Sequence, residues 1–202
     1  MLKKHLIIIG LTISMILLGI ATRFYPGGSQ LDKNAIGFDW ANNYLCNLFN
    51  EKAVNGASNP ARFWAIGGMF LLCASITLFF SRFSKKIPKK RDANIIQYSG
   101  MGAMFCTFLV VTSYHDLMTI FASTFGLLTI FYITVYTFIS KLTFFKYLSV
   151  LCLLNLYVNN YIYYTQNLLY LLPILQKVSL LSILIWLLAL EYVATKEDFV
   201  KK

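Results

Sequence analysis

Apolar residues fall into six long blocks, roughly His5–Thr22, Phe63–Ser81, Asn94–Ser113, Leu117–Ile139, Tyr147–Thr165 and Leu168–Ala194. A helix needs about 20 apolar residues to cross ~30 Å of hydrocarbon, so each block predicts one spanning helix. Membrane strands would instead alternate apolar and polar residues over ~10 positions, and these blocks do not. Pro173 interrupts the last and longest block, which predicts a bent or interfacial first turn. Lys3 and Lys4 ahead of the first block also fit a signal peptide. Against that, "GIATRFYPGG" offers no small-x-small cleavage site and sets Arg23 directly after the block, so a retained helix is expected.

The polar interludes are as informative as the blocks. Between the first two lies Arg23–Arg62, in which "YPGGS" predicts a turn, because Pro26 fixes φ and Gly27–Gly28 permit positive φ. Asp39 is positioned to cap a short helix through "WANNYLCNLF", with Trp40, Tyr44 and Leu48 recurring at helical spacing. Asn59 followed by Pro60 predicts the start of the second span. So much punctuation predicts a folded loop. The "TSYHDLM" stretch is read as a tight hairpin carrying His115 and Asp116. On the fifth helix, Asn155, Asn159 and Gln166 fall on one face at 100° per residue. Gly67, Gly68, Ala74, Gly100, Gly102, Ser123 and Gly126 are expected to let helices approach closely.

Composition agrees with a bilayer as solvent. The 202 residues are 58% hydrophobic and 13% charged, and the mean hydropathy is +0.64; soluble domains carry about 25% charged residues. The fold class is therefore an all-α polytopic membrane protein, one integral membrane domain over residues 1–202. Charge then orients it. With the N-terminus inside, thirteen Lys and Arg fall on inner segments and at most five outside, counting Lys177 as snorkelling outward. Cytoplasmic loops carry the excess of Lys and Arg, so both termini are expected in the cytoplasm, in a cell (inner or plasma) membrane, with the loop 23–62 outside. The net charge of +10 needs no nucleic acid to explain it. The basic loop 82–93 is expected to lie against anionic inner-leaflet headgroups.

The candidate chemistry converges on the outer side. His115 is a candidate general base, with Asp39 or Asp116 to orient it. Both carboxylates are equally readable as helix caps, and His115 as a cap of its hairpin. Trp40, Asn43, Tyr44, Asn155, Asn159 and Gln166 are candidate binding residues for a lipid headgroup or glycolipid. Two histidines in the whole chain exclude a three-His zinc site, no paired-Cys signature is present, and no cofactor is expected. Glu191 reads as a solvated residue at the inner end of the last helix. Few buried carboxylates argue against an ion pathway, which leaves a small transporter as the third reading. The first is recognition or modification of an outer-face lipid. The second is a non-enzymatic accessory protein of an envelope complex. Whether the chain is an enzyme is left open.

The stretch "GFDWANNYLCNLFNEKAVNGASNPARFWAIGG" after "YPGG", together with six helices, resembles a bacterial and archaeal membrane family classed as a domain of unknown function. More distantly the chain is similar to FRAG/DRAM/SFK-type membrane proteins, whose first loop reads roughly Y-[IL]-S-D-x-G. Tyr44 and Leu45 match that motif, Cys46 and Asn47 stand in place of Ser and Asp, and Phe49 falls where the motif's Gly would be expected. A role that needs the motif's carboxylate does not carry over to Asn47. The resemblance implies a six-helix membrane fold and, through distant relatives, a link to lipid homeostasis or lipid-anchor remodelling.

Overall fold

A computed structural model describes residues 2–200, with side chains from His5 to Val200. Among these residues the secondary structure is helical, apart from two isolated antiparallel bridges, Gly27 with Ile36 and Lys52 with Ser58. Six α-helices form: α1 (Leu2–Phe24), α2 (Ala61–Phe83), α3 (Lys90–Leu109), α4 (His115–Ile139), α5 (Thr143–Thr165) and α6 (Leu172–Val193). Each packs mainly on the next in chain order, and α6 returns to touch α2. At the far end from the long loop, the His5 ring nitrogen lies 3.0 Å from the Tyr192 hydroxyl, and Phe199 packs edge-on against Phe83.

Four helical segments, His5–Phe24, Ala61–Lys86, His115–Ile139 and Leu169–Val193, are long and apolar enough to cross a membrane. Helices α3 and α5 have 20 and 23 residues, or about 30 Å and more at ~1.5 Å per residue. They are more polar. Lys90, Arg91 and Asp92 open α3, and Lys146, Asn155, Asn159 and Asn160 punctuate α5. Pro173 sits in the first turn of α6 behind a 3₁₀ turn, Leu169–Leu171, as its position predicts. The linker before it is strained, with Gln166 and Leu168 at φ 60° and 58°.

Small residues decide the closest contacts. The Ser14 hydroxyl donates to the Gly68 carbonyl at 2.6 Å, tying α1 to α2. A Cβ on Gly68 would sit 3.1 Å from the Ser14 carbonyl, and one on Gly100 would sit 2.4 Å from the Phe80 ring. Gly126 faces open space instead. Ser99 and Thr129 share a hydrogen bond of 2.7 Å between α3 and α4. Paired hydroxyls of this kind satisfy each other where no water is at hand. The main core draws on all six helices around Phe79, Phe83, Ile133 and Trp186, while a second core lies under the loop around Tyr25, Leu48, Phe49 and Ala65.

Glu191 departs from the solvated reading. Its side chain is only 10% exposed and pairs with Arg82 at 3.0 Å, with Lys86 Nζ 3.8 Å away. Lys86 Nζ also donates to the Glu191 carbonyl at 3.0 Å, closing the C-terminal end of α6 with positive charge. The reason is packing: α2 and α6 meet here, and a carboxylate between two cations is stable where a lone one would not be. Removing it takes the carboxylate away from two largely covered cations. Glu191→Ala is therefore expected to cost on the order of 3 kcal/mol, read as a fall in detergent-solubilised thermal midpoint. Glu197→Ala, on the exposed turn, should leave the midpoint unchanged.

Candidate functional site

The long loop is a built structure, and its asparagines build it. Gly28 donates to the Ala35 carbonyl at 2.7 Å and adopts φ +81°, where a Cβ would collide with the Asn55 backbone at 2.4 Å. Its carbonyl accepts from Asn43 Nδ2 at 2.8 Å. The Asn43 amide oxygen accepts from the Asp39 N–H at 2.8 Å. Asn47 Oδ1 accepts from the Tyr44 N–H at 2.7 Å. Asn59 Nδ2 reaches the carbonyls of Asn47, Leu48 and Asn50, and the Tyr25 hydroxyl accepts from the Val54 N–H. Buried polar groups must be paired, and here side-chain amides pair the backbone that a loop leaves open.

That competition explains one difference from the expected helix. Asp39 Oδ1 accepts from the N–H groups of Ala41 and Asn42, so the chain makes a turn there. Helix forms only as a short 3₁₀ segment, Leu45–Phe49. The Trp40–Tyr44–Leu48 stripe consequently splits: Trp40 is 56% exposed and Leu48 fully buried. Asn59 does not cap α2 with its side chain either; α2 starts at Ala61 with Pro60 before it.

The loop docks on α6. The Leu45 N–H donates to Gln176 Oε1 at 3.0 Å. Lys177 Nζ donates to the Asn43 carbonyl at 2.6 Å and to the Pro173 carbonyl at 2.7 Å, and it lies 5.7 Å from the centre of the Phe38 ring. Phe38 meets Trp40 edge-on. Lys177 thus turns into the loop and does not simply snorkel past it. It is the one Lys or Arg within the six apolar blocks, and an ionisable residue at such a position marks a structural or functional contact by default. Its partner is not readable from spacing alone.

Between the end of α1 and this loop opens a cleft of about 590 Å³, lined by Gly19, Thr22, Arg23, Gly37, Phe38 and Trp40. Arg23 and Trp40 are exposed, and Thr22 donates to the Gly19 carbonyl. Neither Arg23 nor Thr22 was singled out by spacing, because each looks like the ordinary polar end of an apolar block. A guanidinium fork beside an indole face suits a phosphate or phosphosugar.

The remaining candidates occupy other places. Asp39 bonds within its own turn; the Asn42 amide, at 2.8 Å, leads the backbone N–H groups and the Lys177 charge in holding its carboxyl below the usual carboxylate range. His115 Nδ1 pairs with Asp116 Oδ1 at 2.9 Å on the exposed start of α4, where the Tyr163 hydroxyl also reaches Asp116 at 3.4 Å. His115 and Asp39 share no hydrogen bond among the described contacts. Asn159 Nδ2 donates to Ser179 Oγ on α6 at 2.7 Å and to the Asn155 carbonyl, so it faces the neighbouring helix. Gln166 lies past the last turn of α5 as its left-handed cap and donates to the Tyr163 carbonyl, so it leaves the face that Asn155 and Asn159 share. Asn160 joins Ser123, Tyr157 and Tyr164 in a smaller cleft of about 340 Å³ between α4 and α5. Among the described residues, no three of His, Cys, Asp and Glu gather to hold a metal ion.

No family model, curated protein or solved structure matches this chain.

Cys46 reports on the loop latch. Burial pushes its thiol up to about 11, so the reactive thiolate is scarce near neutral pH. Maleimide labelling of Cys46 in the intact protein is expected to be slow at pH 7.5. Asn43→Ala, which removes the contact to Gly28 and the acceptor for Asp39, is expected to speed it about tenfold or more, equal to ~1.4 kcal/mol of lost latch. Unchanged labelling kinetics in that variant would mean the asparagine network does not hold the loop down.

Proposed function

We propose that this chain is an integral membrane protein of six spanning helices with both termini cytoplasmic, and that its outward loop recognises the polar head of a lipid or lipid-linked molecule. The observation that carries the reading is the cleft at the loop end, where exposed Arg23 and Trp40 flank about 590 Å³ beside the end of an apolar helix. A guanidinium at that level pairs with an anionic head, and an indole is the usual side chain at headgroup depth.

The membrane reading draws on outward-facing side chains. Ile16, Phe70, Phe131, Leu151 and Ile185 are at least half exposed, which water would penalise and hydrocarbon would not. Trp40, Phe63, Tyr114 and Tyr170 gather exposed at the loop end, and Phe144 and Tyr147 at the other, as aromatic residues do at the two faces of a bilayer. The bias of Lys and Arg toward the end opposite the loop supports the orientation. Resemblance to FRAG/DRAM/SFK-type proteins around Tyr44–Leu45 supports the lipid. Recognition is favoured over chemical modification, because the Asp39 carboxylate is occupied within its turn. An accessory role draws on one different feature, the tyrosine-rich cleft between α4 and α5, which would suit a partner helix.

Photo-crosslinking tests the lipid reading. With p-benzoylphenylalanine at position Trp40 in intact cells, the protein is expected to gain the mass of a captured lipid, and Arg23→Gln should reduce that adduct severalfold. Capture of protein only, or an adduct indifferent to Arg23→Gln, would count against it. Reporter fusions check orientation: a periplasm-active enzyme inserted at Gly56 should be active, and one fused after Val200 should not.

A further inference from the structure

A second cavity of about 590 Å³ lies at the basic end, outside the site just described. Its apolar wall is the lipid-facing side of α4, where Phe131, Val135 and Ile139 are 51%, 39% and 47% exposed. Phe199, held against Phe83 by a ring contact of 5.5 Å, closes one side. The polar end is Asp92, which accepts from the Tyr136 hydroxyl at 2.7 Å and lies 3.8 Å from Lys89. The groove therefore has an amphiphile's layout, a long greasy wall ending in a charged corner, and its volume is within the ~300–1,000 Å³ of small-molecule sites.

Charge indicates which amphiphile. The Asp92 carboxylate is already compensated by Tyr136 and Lys89. On the elements that flank the groove, Lys85, Lys90 and Arg91 are exposed on the loop and first turn of α3, with Lys141 just past the end of α4 and Lys196 on the turn that carries Phe199. The opposing acids on that turn are Glu197 and Asp198, and Asp198 is engaged by the Thr195 N–H and hydroxyl at 2.8 Å. Cations outnumber acids at the corner. A zwitterionic head would gain little from that surplus, whereas an anionic phosphate gains from each cation near it.

We propose that this groove seats one acyl chain of an anionic phospholipid from the leaflet facing the basic loop, with Lys89 at its mouth holding the phosphate. This makes the loop 82–93 part of a defined lipid seat rather than a diffuse surface attraction. It relies on the membrane reading above but not on the cleft at Arg23.

Native mass spectrometry of the full-length protein in detergent tests it, using added dioleoyl-phosphatidylglycerol or dioleoyl-phosphatidylcholine. Arg23→Gln serves as the parent so that the loop cleft does not contribute. The parent should retain phosphatidylglycerol in preference to phosphatidylcholine. Lys89→Gln, at a 65% exposed side chain and with Asp92 still hydrogen-bonded to Tyr136, should weaken phosphatidylglycerol retention about fivefold and leave phosphatidylcholine unaffected. Val135→Trp, which fills the wall, should weaken retention of both lipids. Equal retention of the two lipids by the parent, or phosphatidylglycerol retention at the parent level in both variants, overturns the proposal.

Discussion

The contact between the Lys177 ammonium and the Asn43 carbonyl ties the two halves of this structure together. A small apolar core around Leu48 and Phe49 packs the long loop on α1 and α2, but apolar contact alone has no direction. Lys177 supplies a directional anchor from α6, and Gln176 beside it accepts from the next free N–H of the loop. With those two carbonyl and amide partners set, Phe38 rests against the cation and Trp40 against Phe38. The cleft beside Arg23 follows from that stack. A lysine in an apolar helix costs free energy unless its charge meets oxygen, and the loop returns that oxygen.

The same constraint recurs at the basic end with the signs reversed. Glu191 is largely covered at the end of α6 and is met by Arg82 from α2 and Lys86 from the turn after it; Asp92 is met by Tyr136 and Lys89. Each acid sits where two elements join, so the Arg82–Glu191 pair also fixes how α2 meets α6, and the Tyr136–Asp92 hydrogen bond how α3 meets α4. Between the two ends the helices are held by close approach of small residues, Gly68 against Ser14 and Gly100 against Phe80, as expected where dispersion replaces the hydrophobic effect.

The loop shows why local reading reaches only part of a site. Gly27–Gly28 were legible as a turn because positive φ is written into the residue type. Asp39 was legible as a cap, and it does cap, but a turn instead of a helix. Asn43, a candidate for binding, is instead fully enclosed, with its amide shared between Gly28 and Asp39. Asparagine favours a ligand and a loop backbone equally, and only the fold shows which one it meets. Arg23 reads locally as the polar end of the first block, since the cleft it lines is completed by Phe38 and Trp40, fifteen residues or more away in the chain.

What the sequence by itself determined is the helical class, the number and approximate extent of the helices, the broken start of α6 at Pro173 and the concentration of cations at one end. These follow from local composition and from periods of a few residues. What only the tertiary structure decided is which distant polar groups face one another: Lys177 toward the loop, Glu191 between two cations, and Asn159 toward Ser179. Those pairings join residues twenty to more than a hundred positions apart. No local signal encodes them, because a buried charge demands a partner without specifying which.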